Sequence, residues 1–403
     1  MTNANLSAAR RKKQDEFYTQ FYDIEKEMNA YLEYDPEVFK GKTVLLPCDD
    51  PEWSNFTKYF TQNFDTLGLK KLISTSYAPN SKPKGIPYQP TFFEMDSPDF
   101  DEAKTVSNGK IFTLSRDRTG DKAINVDDLE WGYLDGDGDF RSDEVKALRD
   151  EADVIITNPP FSLFRGFFAW IIEADKNFLI IGNLNAITYK KVYPLIKNGK
   201  VWLGNNYKVN GGAMFYEIPE AVANLEQVRE IRSDEKGNKV FITRVQGVRW
   251  FTNLDHGRRH QPLPLMTEAD NIKFSKHKKF KDVGYQKYDN YDAIEVPLVA
   301  AIPSDYDGVM GVPISFLDKY SPEQFEILGV TQSWDDPAGL KTKTYPTQTQ
   351  VSKSGVRSQV STLNAGAAIR VDSPPTTTHY EVDGGMFTMP YSRILIRHRR
   401  AGG

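Results

Sequence analysis

The tetrapeptide Asn158-Pro159-Pro160-Phe161 has residue types that suggest chemistry on an amino group. The amide oxygen of Asn158 and the backbone carbonyl of Pro159 can each accept one proton of a planar exocyclic amine. The Phe161 ring offers a flat face for the heterocycle that carries this amine. With both protons accepted, the nitrogen lone pair is free to attack, which predicts group transfer to an amino nitrogen. The same residues also form ordinary turns after strands, and that alternative stays open at this point.

The apolar run Val154-Ile155-Ile156 leads directly into this tetrapeptide. Such a run is typical of a central parallel strand, and strand pairing must stop at Asn158 because proline cannot donate to a ladder. We therefore expect a stiff loop at the carboxyl end of a strand, which is where open α/β sheets bind their ligands.

Strand-like and helix-like segments alternate through the first half of the chain. Strand patterns occupy 42–48, 70–77, 152–158, 177–184 and 200–206, and helical patterns occupy 50–64, 163–175 and 188–199. The alternation predicts an α/β fold with a doubly wound, mostly parallel sheet. It ends near residue 216. We therefore expect a cofactor-binding and catalytic domain over 1–215 and an additional mixed α/β recognition region over 216–403.

Composition limits the class of protein. A chain of 403 residues suggests two domains or one domain with a large insertion. Cys48 is its one cysteine, so an internal disulfide is excluded and a reducing cytoplasm is the expected location. No apolar stretch has the length of a membrane span, and no apolar signal segment follows the basic residues near the N-terminus. We expect a monomer.

Basic residues cluster although the net charge is −4. The cluster over 273–287 has aromatic rings between its lysines, and this combination makes contact with nucleic acid about as well supported as a merely solvated face. We expect phosphate contacts from Lys276, Lys278 and Lys279 and from the C-terminal arginines Arg393, Arg397, Arg399 and Arg400. The polar stretch 344–366 is expected to be mobile without DNA.

A second set of candidate DNA contacts lies in the segment "RWFTNLDHGRRHQ". Arg258 and Arg259 can pair with guanine edges, and the candidate base readers beside them are His256, His260 and Gln261. These side chains would set sequence preference, whereas the lysines would set affinity.

Several longer segments resemble known methyltransferases. The tetrapeptide matches the amino-methylating DNA methyltransferases, whose catalytic motif is Asn or Asp, then Pro-Pro, then an aromatic residue. The segments "VRWFTNLDHGRRHQPL", "MGVPISFLDKYSPEQFEILG" and "YSRILIR" look like the EcoRI modification methylase group of adenine-specific enzymes. This resemblance covers nearly the whole chain. It implies methyl transfer from S-adenosylmethionine to the N6 amino group of a flipped adenine in duplex DNA, without a metal, as in restriction-modification.

The resemblance also implies the cofactor contacts. The second strand ends in serine and threonine rather than in the usual ribose-binding acid, so Asp49 or Asp50 is interpreted as the ribose ligand. Asp137 or Asp139 is interpreted as the acceptor for the amine of the cofactor's adenine. The usual glycine-rich loop is absent from the first strand. The full set of implied cofactor residues is Tyr18, Thr19, Pro47, Cys48, Asp49, Asp50, Asn55, Phe56, Asp137 and Asp139.

Four alternatives accompany this interpretation. Pro47-Cys48 is the dipeptide that C5-cytosine methyltransferases use for covalent attack, but neighbouring carboxylates should raise the thiol pKa and disfavour it. A calcium loop over 135–146 is disfavoured because Phe140 and Lys146 occupy positions that need glycine and glutamate. An amino-methyltransferase acting on RNA or protein glutamine, and a catalytically idle DNA-binding protein, stay open.

Overall fold

The computed structural model describes residues 18–49, 54–78, 100–117, 120, 124, 128–205, 213–218, 228–233, 239–275, 278–335 and 339–399. These residues form two compact units. One contains the described residues up to Asn183 and those from Trp202 to Gly257, and the other contains Leu184–Val201 and those from Arg258 onward.

Strands and helices are numbered in chain order. The strands are β1 (Tyr18–Thr19), β2 (Thr43–Leu46), β3 (Lys71–Thr75), β4 (Lys110–Leu114), β5 (Glu130–Tyr133), β6 (Val154–Thr157), β7 (Asn177–Asn183), β8 (Trp202–Leu203), β9 (Ala213–Ile218), β10 (Val228–Ser233), β11 (Lys239–Gln246), β12 (Val248–Thr252), β13 (Ile294–Glu295), β14 (Met310–Pro313), β15 (Phe325–Val330), β16 (Gln348–Val351), β17 (Arg357–Val360), β18 (Ile369–Val371), β19 (His379–Val382), β20 (Gly385–Thr388) and β21 (Arg393–His398). The helices are α1 (Phe21–Tyr34), α2 (Asn55–Gln62), α3 (Phe64–Leu67), α4 (Lys104–Ser107), α5 (Asp143–Glu151), α6 (Phe164–Glu173), α7 (Tyr193–Lys197), α8 (Glu268–Phe274) and α9 (Lys278–Val283).

The first unit contains a central sheet of eight strands in the order β5-β4-β3-β2-β6-β7-β12-β8. Its four middle strands, β3, β2, β6 and β7, run parallel, and each strand beyond them pairs antiparallel with its inner neighbour. Every residue of β2 and β6 is buried, as expected for continuous apolar runs between two covered faces. The predicted α/β class and parallel central sheet are confirmed. The antiparallel strands at the sheet edges were not predicted.

The chain reverses its direction of travel across the sheet between β2 and β6. The connection from β2 through α2 leads to β3 on one side, whereas the connection from β6 through α6 leads to β7 on the other side. The carboxyl ends of β2 and β6 are therefore a topological switch point. In open α/β sheets, ligands bind in the crevice at this point.

Helix α2 begins immediately after this switch point. Its N-cap is Ser54, whose Oγ accepts from the backbone N–H of Phe56 over 3.0 Å. The helix then directs Phe56 and Phe60 into the apolar cluster that also contains Leu46 and Trp250. The cap and this apolar face fix where the helix begins and how it lies against the sheet.

The first unit extends past residue 215 because β12 pairs with β7 inside the central sheet. A further antiparallel sheet of this unit has the order β1-β9-β11-β10. The expected boundary between residues 215 and 216 thus does not coincide with the division into compact units. The recognition role of 216–403 stays a prediction.

The second unit contains two sheets, β13-β14-β21-β15 and β17-β16-β19-β20-β18. The expectation that 344–366 is mobile is wrong, because β16 and β17 of that stretch form a hairpin in the five-stranded sheet. The stretch is polar because β17 is an exposed edge strand, although Gln348 and Leu363 of the same stretch are buried. Among the described residues, no helix is long and apolar enough to cross a membrane.

Candidate active site

The Asn158 loop lies at the switch point. Strand β6 makes its last pairing at Thr157, and Asn158 follows as a half-buried residue, which confirms the predicted end of the strand. The backbone N–H of Leu163 then donates to the carbonyl of Pro160 over 2.9 Å, and α6 begins at Phe164. The loop therefore joins the carboxyl end of a central strand to a helix through a short hydrogen-bonded turn.

The Phe161 ring is largely covered by protein. Its exposed fraction is 6%, and it belongs to the apolar cluster of the first unit together with Ile156 and Phe56. Stacking of this ring on a substrate stays a prediction.

Asp49 is the best-connected side chain at the switch point. Its Oδ1 accepts from Ser54 Oγ over 2.8 Å, and its Oδ2 accepts from Thr157 Oγ1 over 2.6 Å. Its backbone carbonyl accepts from Ser74 Oγ over 2.8 Å, and Ser74 lies 2.9 Å from Thr57 Oγ1. One buried residue therefore links the ends of β2, β3 and β6 to the beginning of α2.

The hydroxyl partners of Asp49 were missed by the sequence analysis. Two local signals were available: Ser54 is an N-cap residue type directly before a helical pattern, and Thr157 is the last residue before the Asn-Pro-Pro turn. Neither signal reveals that both hydroxyls point to one carboxylate, because Thr157 is 108 residues away from Asp49 in sequence.

The Cys48 thiol lies beside this network. Burial raises its pKa above the ordinary value, the Asp49 and Asp139 charges raise it further, and a hydrogen bond with Thr157 opposes the shift. A protonated thiol is a poor nucleophile. This environment disfavours the covalent chemistry of C5-cytosine methyltransferases.

Other implied cofactor residues approach the same edge. Thr19 is in β1, and its carbonyl accepts from Asn55 Nδ2 of α2 over 2.8 Å, so the structure brings these two residues together. Pro47 is buried directly after β2. Phe56 instead packs edge-to-face on Trp250 in the core. Asp50 lies outside the described residues, as does the side chain of Tyr18.

The loop that carries Asp137 and Asp139 lies against the end of β3. Gly138 has φ +82° and approaches so closely that an added Cβ would lie 2.2 Å from the carbonyl oxygen of Ser76. Asp139 is paired with Arg141, and the hydrogen bonds from this guanidinium lower the pKa of its carboxyl. A glycine is therefore required at position 138 for this loop to lie so close to the end of the strand.

Arg258, Arg259 and His260, three of the candidate DNA contacts, are in the second unit. Arg258, Arg259 and His260 are partly exposed in the 3₁₀ turn Gly257–His260, and His260 Nδ1 lies 2.7 Å from Glu323 Oε1. Lys276 lies outside the described residues, as do the side chains of Lys278 and Lys279. The DNA-binding roles of these residues stay predictions.

Two residues expected to contact DNA have structural roles instead. His256 is 2% exposed, with Nε2 lying 3.0 Å from the carbonyl of Leu203 and its ring edge-on to Tyr31. Arg393 forms a buried ion pair with Glu295 at 2.6 Å. Burial removes His256 from the surface that DNA could reach, and the ion pair with Glu295 already occupies the guanidinium of Arg393. The described residues contain no cluster of three or more His, Cys, Asp or Glu suited to a metal.

A parallel α/β sheet with an Asn-Pro-Pro-Phe loop at its switch point defines the chain as an amino-methyltransferase by class. The comparisons with known proteins agree. The chain matches the family described as "Adenine-specific methyltransferase EcoRI" over residues 5–399. The chain belongs to this family of adenine-specific methyltransferases.

Three curated relatives are named as type II methyltransferases. M.EcoRI of Escherichia coli is 41% identical over 83% of this chain and 91% of its own length. M.MpnI of Mycoplasma pneumoniae is 34% identical over 80% of this chain and 84% of its own length. M.MgeORF184P of Mycoplasma genitalium is 32% identical over 80% and 85%, respectively. No solved structure matches the chain.

Proposed function

We propose that this enzyme transfers a methyl group from S-adenosylmethionine to the N6 amino group of an adenine flipped out of a specific duplex DNA sequence. The observation that carries the proposal is the position of the Asn158 loop at the carboxyl end of β6, at the switch point, in a member of an adenine-specific family. A base must leave the helical stack before its amine can enter such a crevice.

The residues at the switch point fit S-adenosylmethionine. Thr19 Oγ1 and Gln20 Nε2 are buried and have no hydrogen-bond partner among the described residues, so the segment between β1 and α1 can accept a polar ligand. Thr19, Pro47 and Asp139 are proposed to hold this cofactor, which supplies the electrophilic methyl group when bound.

The Asn158 loop is proposed to hold the target amine. Asn158 and the Pro159 carbonyl accept its two protons, which keeps the lone pair directed at the methyl group and stabilises the positive charge that develops on nitrogen. Asn158 is an amide and not a carboxylate, so no strong base is present and the released proton passes to water after transfer. Alignment of the reacting atoms supplies much of the rate.

Replacement of Asn158 tests this proposal. We expect Asn158→Ala to lower the single-turnover rate of DNA methylation by about 100-fold or more while cofactor and DNA affinities stay within about threefold, since its amide acts mainly on the transferring group. The matched control is Asn29→Ala on the exposed side of α1, which should keep the parent rate. An Asn158→Ala enzyme that methylates within about tenfold of the parent removes this residue from the mechanism.

The acceptor is tested with tritiated S-adenosylmethionine and three substrates. Duplex DNA should be labelled at N6 of adenine, whereas RNA and glutamine peptides should stay unlabelled. Labelled RNA or peptide in place of DNA would support the alternative amino-methyltransferase. Binding to duplex without any transfer would support an idle DNA-binding protein.

A further inference from the structure

The Asp49 carboxylate connects two parts of the site that have different tasks. Thr157, which donates to its Oδ2, is covalently joined to Asn158. Ser54, which donates to its Oδ1, begins α2, the helix that holds Thr19 through Asn55. A path of hydrogen bonds and peptide bonds therefore runs from the proposed cofactor segment to the proposed amine-binding loop.

The strength of this connection follows from burial and charge. Asp49 is 6% exposed and Thr157 is fully buried. Hydroxyl-to-carboxylate hydrogen bonds are roughly twice as strong as neutral ones, and their loss leaves a buried group poorly solvated. Thr157 is also β-branched, so its χ1 is restricted and a fixed hydroxyl fixes the residue. The backbone of Asp49 is itself held by Ser74.

We infer that Asp49 is a positioning residue for Asn158 and not the ribose ligand that the sequence suggested. Both carboxylate oxygens already accept hydrogen bonds from protein hydroxyls, and these bonds orient the carboxylate towards β6 and α2. The inference rests on the proposed role of Asn158, because Asp49 acts on methyl transfer through the residue next to it.

The two roles predict different kinetics. A ribose ligand acts on the affinity for S-adenosylmethionine, so its loss is overcome by saturating cofactor. A positioning residue acts on the alignment of the acceptor amine, and a misplacement of about 1 Å can cost about 100-fold in rate at any cofactor concentration. The discriminating measurement is the single-turnover rate at saturating S-adenosylmethionine and DNA, beside the two dissociation constants.

The test uses a matched pair at Thr157. Thr157→Val keeps the branched shape but removes the hydroxyl, and we expect its saturated single-turnover rate to fall at least tenfold with both dissociation constants within threefold of the parent. Thr157→Ser keeps the hydroxyl and should retain the rate within threefold. Asp49→Asn keeps the shape but loses the charge, and its rate should fall as that of Thr157→Val does. Unfolding temperatures of all variants report any general loss of stability.

Three results would overturn the inference. A saturated rate of Thr157→Val within threefold of the parent means that the hydrogen bond positions nothing. An equal loss in Thr157→Ser means that shape matters and the hydroxyl does not. A tenfold weaker affinity of Asp49→Asn for S-adenosylmethionine, with an unchanged saturated rate, means that Asp49 is a ribose ligand.

Asn158→Ala is measured in parallel. If it keeps the parent rate, the proposed function of the loop fails. If it loses the rate while Thr157→Val keeps it, the positioning inference alone fails. If Asp49→Asn does not fold, the Thr157 pair decides the matter.

Discussion

The Cys48 thiol should be slow to react despite its position beside the site. Burial and the neighbouring carboxylates raise its pKa, so its thiolate fraction at pH 8 is below that of a free cysteine and grows only as the pH rises further. We expect iodoacetamide to modify the folded enzyme at pH 8 at least about tenfold more slowly than it modifies free cysteine. Intact mass measured over time gives the rate.

Cys48→Ser should methylate DNA within about threefold of the parent, since no covalent step passes through the sulfur. A variant that still binds S-adenosylmethionine but has lost all methylation would instead favour the cytosine chemistry.

Arg393 and Arg397 of β21 allow a largely buried ion pair to be compared with an exposed one on the same strand. Arg393 pairs with Glu295 at side-chain exposures of 11% and 9%, whereas Arg397 pairs with Glu326 at 48% and 42%. Removing one partner of a buried pair leaves an uncompensated charge, so Arg393→Ala should lower the free energy of unfolding by about 3–5 kcal/mol. Arg397→Ala should cost about 0–1 kcal/mol. Urea unfolding measures both, and equal losses would contradict the distinction.

Hairpin β16–β17 should be ordered before DNA binds. Strand β16 pairs on both sides, with β17 and β19, whereas β17 is the edge of its sheet. Amides of β16 should therefore exchange with deuterium at least about tenfold more slowly than those of β17, with no DNA present. Hydrogen exchange read by mass spectrometry measures this, and equally fast exchange in both strands would restore the prediction of a mobile segment.

The buried parallel strands can be predicted from the sequence, whereas β12 cannot. Strands β2, β3, β6 and β7 were predicted because a buried parallel strand is a continuous apolar run whose signal is local. Strand β12 has every residue buried, yet it contains Arg249, and its partners β7 and β8 lie far away in sequence. Strand pairing between such distant segments leaves little local trace, so the place of β12 in the sheet could not be predicted.

The candidate site, like the fold, can be predicted from the sequence only in part. The Asn158 loop follows from a strand that runs into two prolines. The role of Arg393 did not follow, because residue type gives charge but not burial, and burial depends on Glu295, almost 100 residues away. The Asp49 network shares this limit, since it joins hydroxyls from three separate segments.

A protein with a net charge of −4 needs a local basic surface to bind DNA. Simultaneous replacement of Lys276, Lys278 and Lys279 by Ala should weaken binding to every duplex alike and flatten the slope of log affinity against log salt by up to about 0.9 per lost phosphate contact. Fluorescence anisotropy across salt concentrations measures the slope.

A control variant loses the same number of positive charges at a different surface of the protein. Lys40, Lys42 and Lys70 lie at the amino ends of β2 and β3, opposite the edge that holds the Asn158 loop, and their replacement by Ala should leave the slope unchanged. By contrast, Arg258→Ala should cost roughly 1–3 kcal/mol on the preferred sequence alone if it pairs with a guanine edge. If the variant that lacks Lys276, Lys278 and Lys279 keeps the salt slope of the parent enzyme, the DNA lies on another surface.

The position of β12 between β7 and β8 has a consequence for synthesis of the chain. The parallel strands can pair once Asn183 has been made, but the outer edge of β7 has no partner until the ribosome has added the residues up to Thr252. At about 5–20 residues per second, the nascent chain carries this open apolar edge for several seconds. Open strand edges are templates for pairing with other chains. Aggregation of this enzyme should therefore depend more on how fast it is translated than on how stable it is once folded.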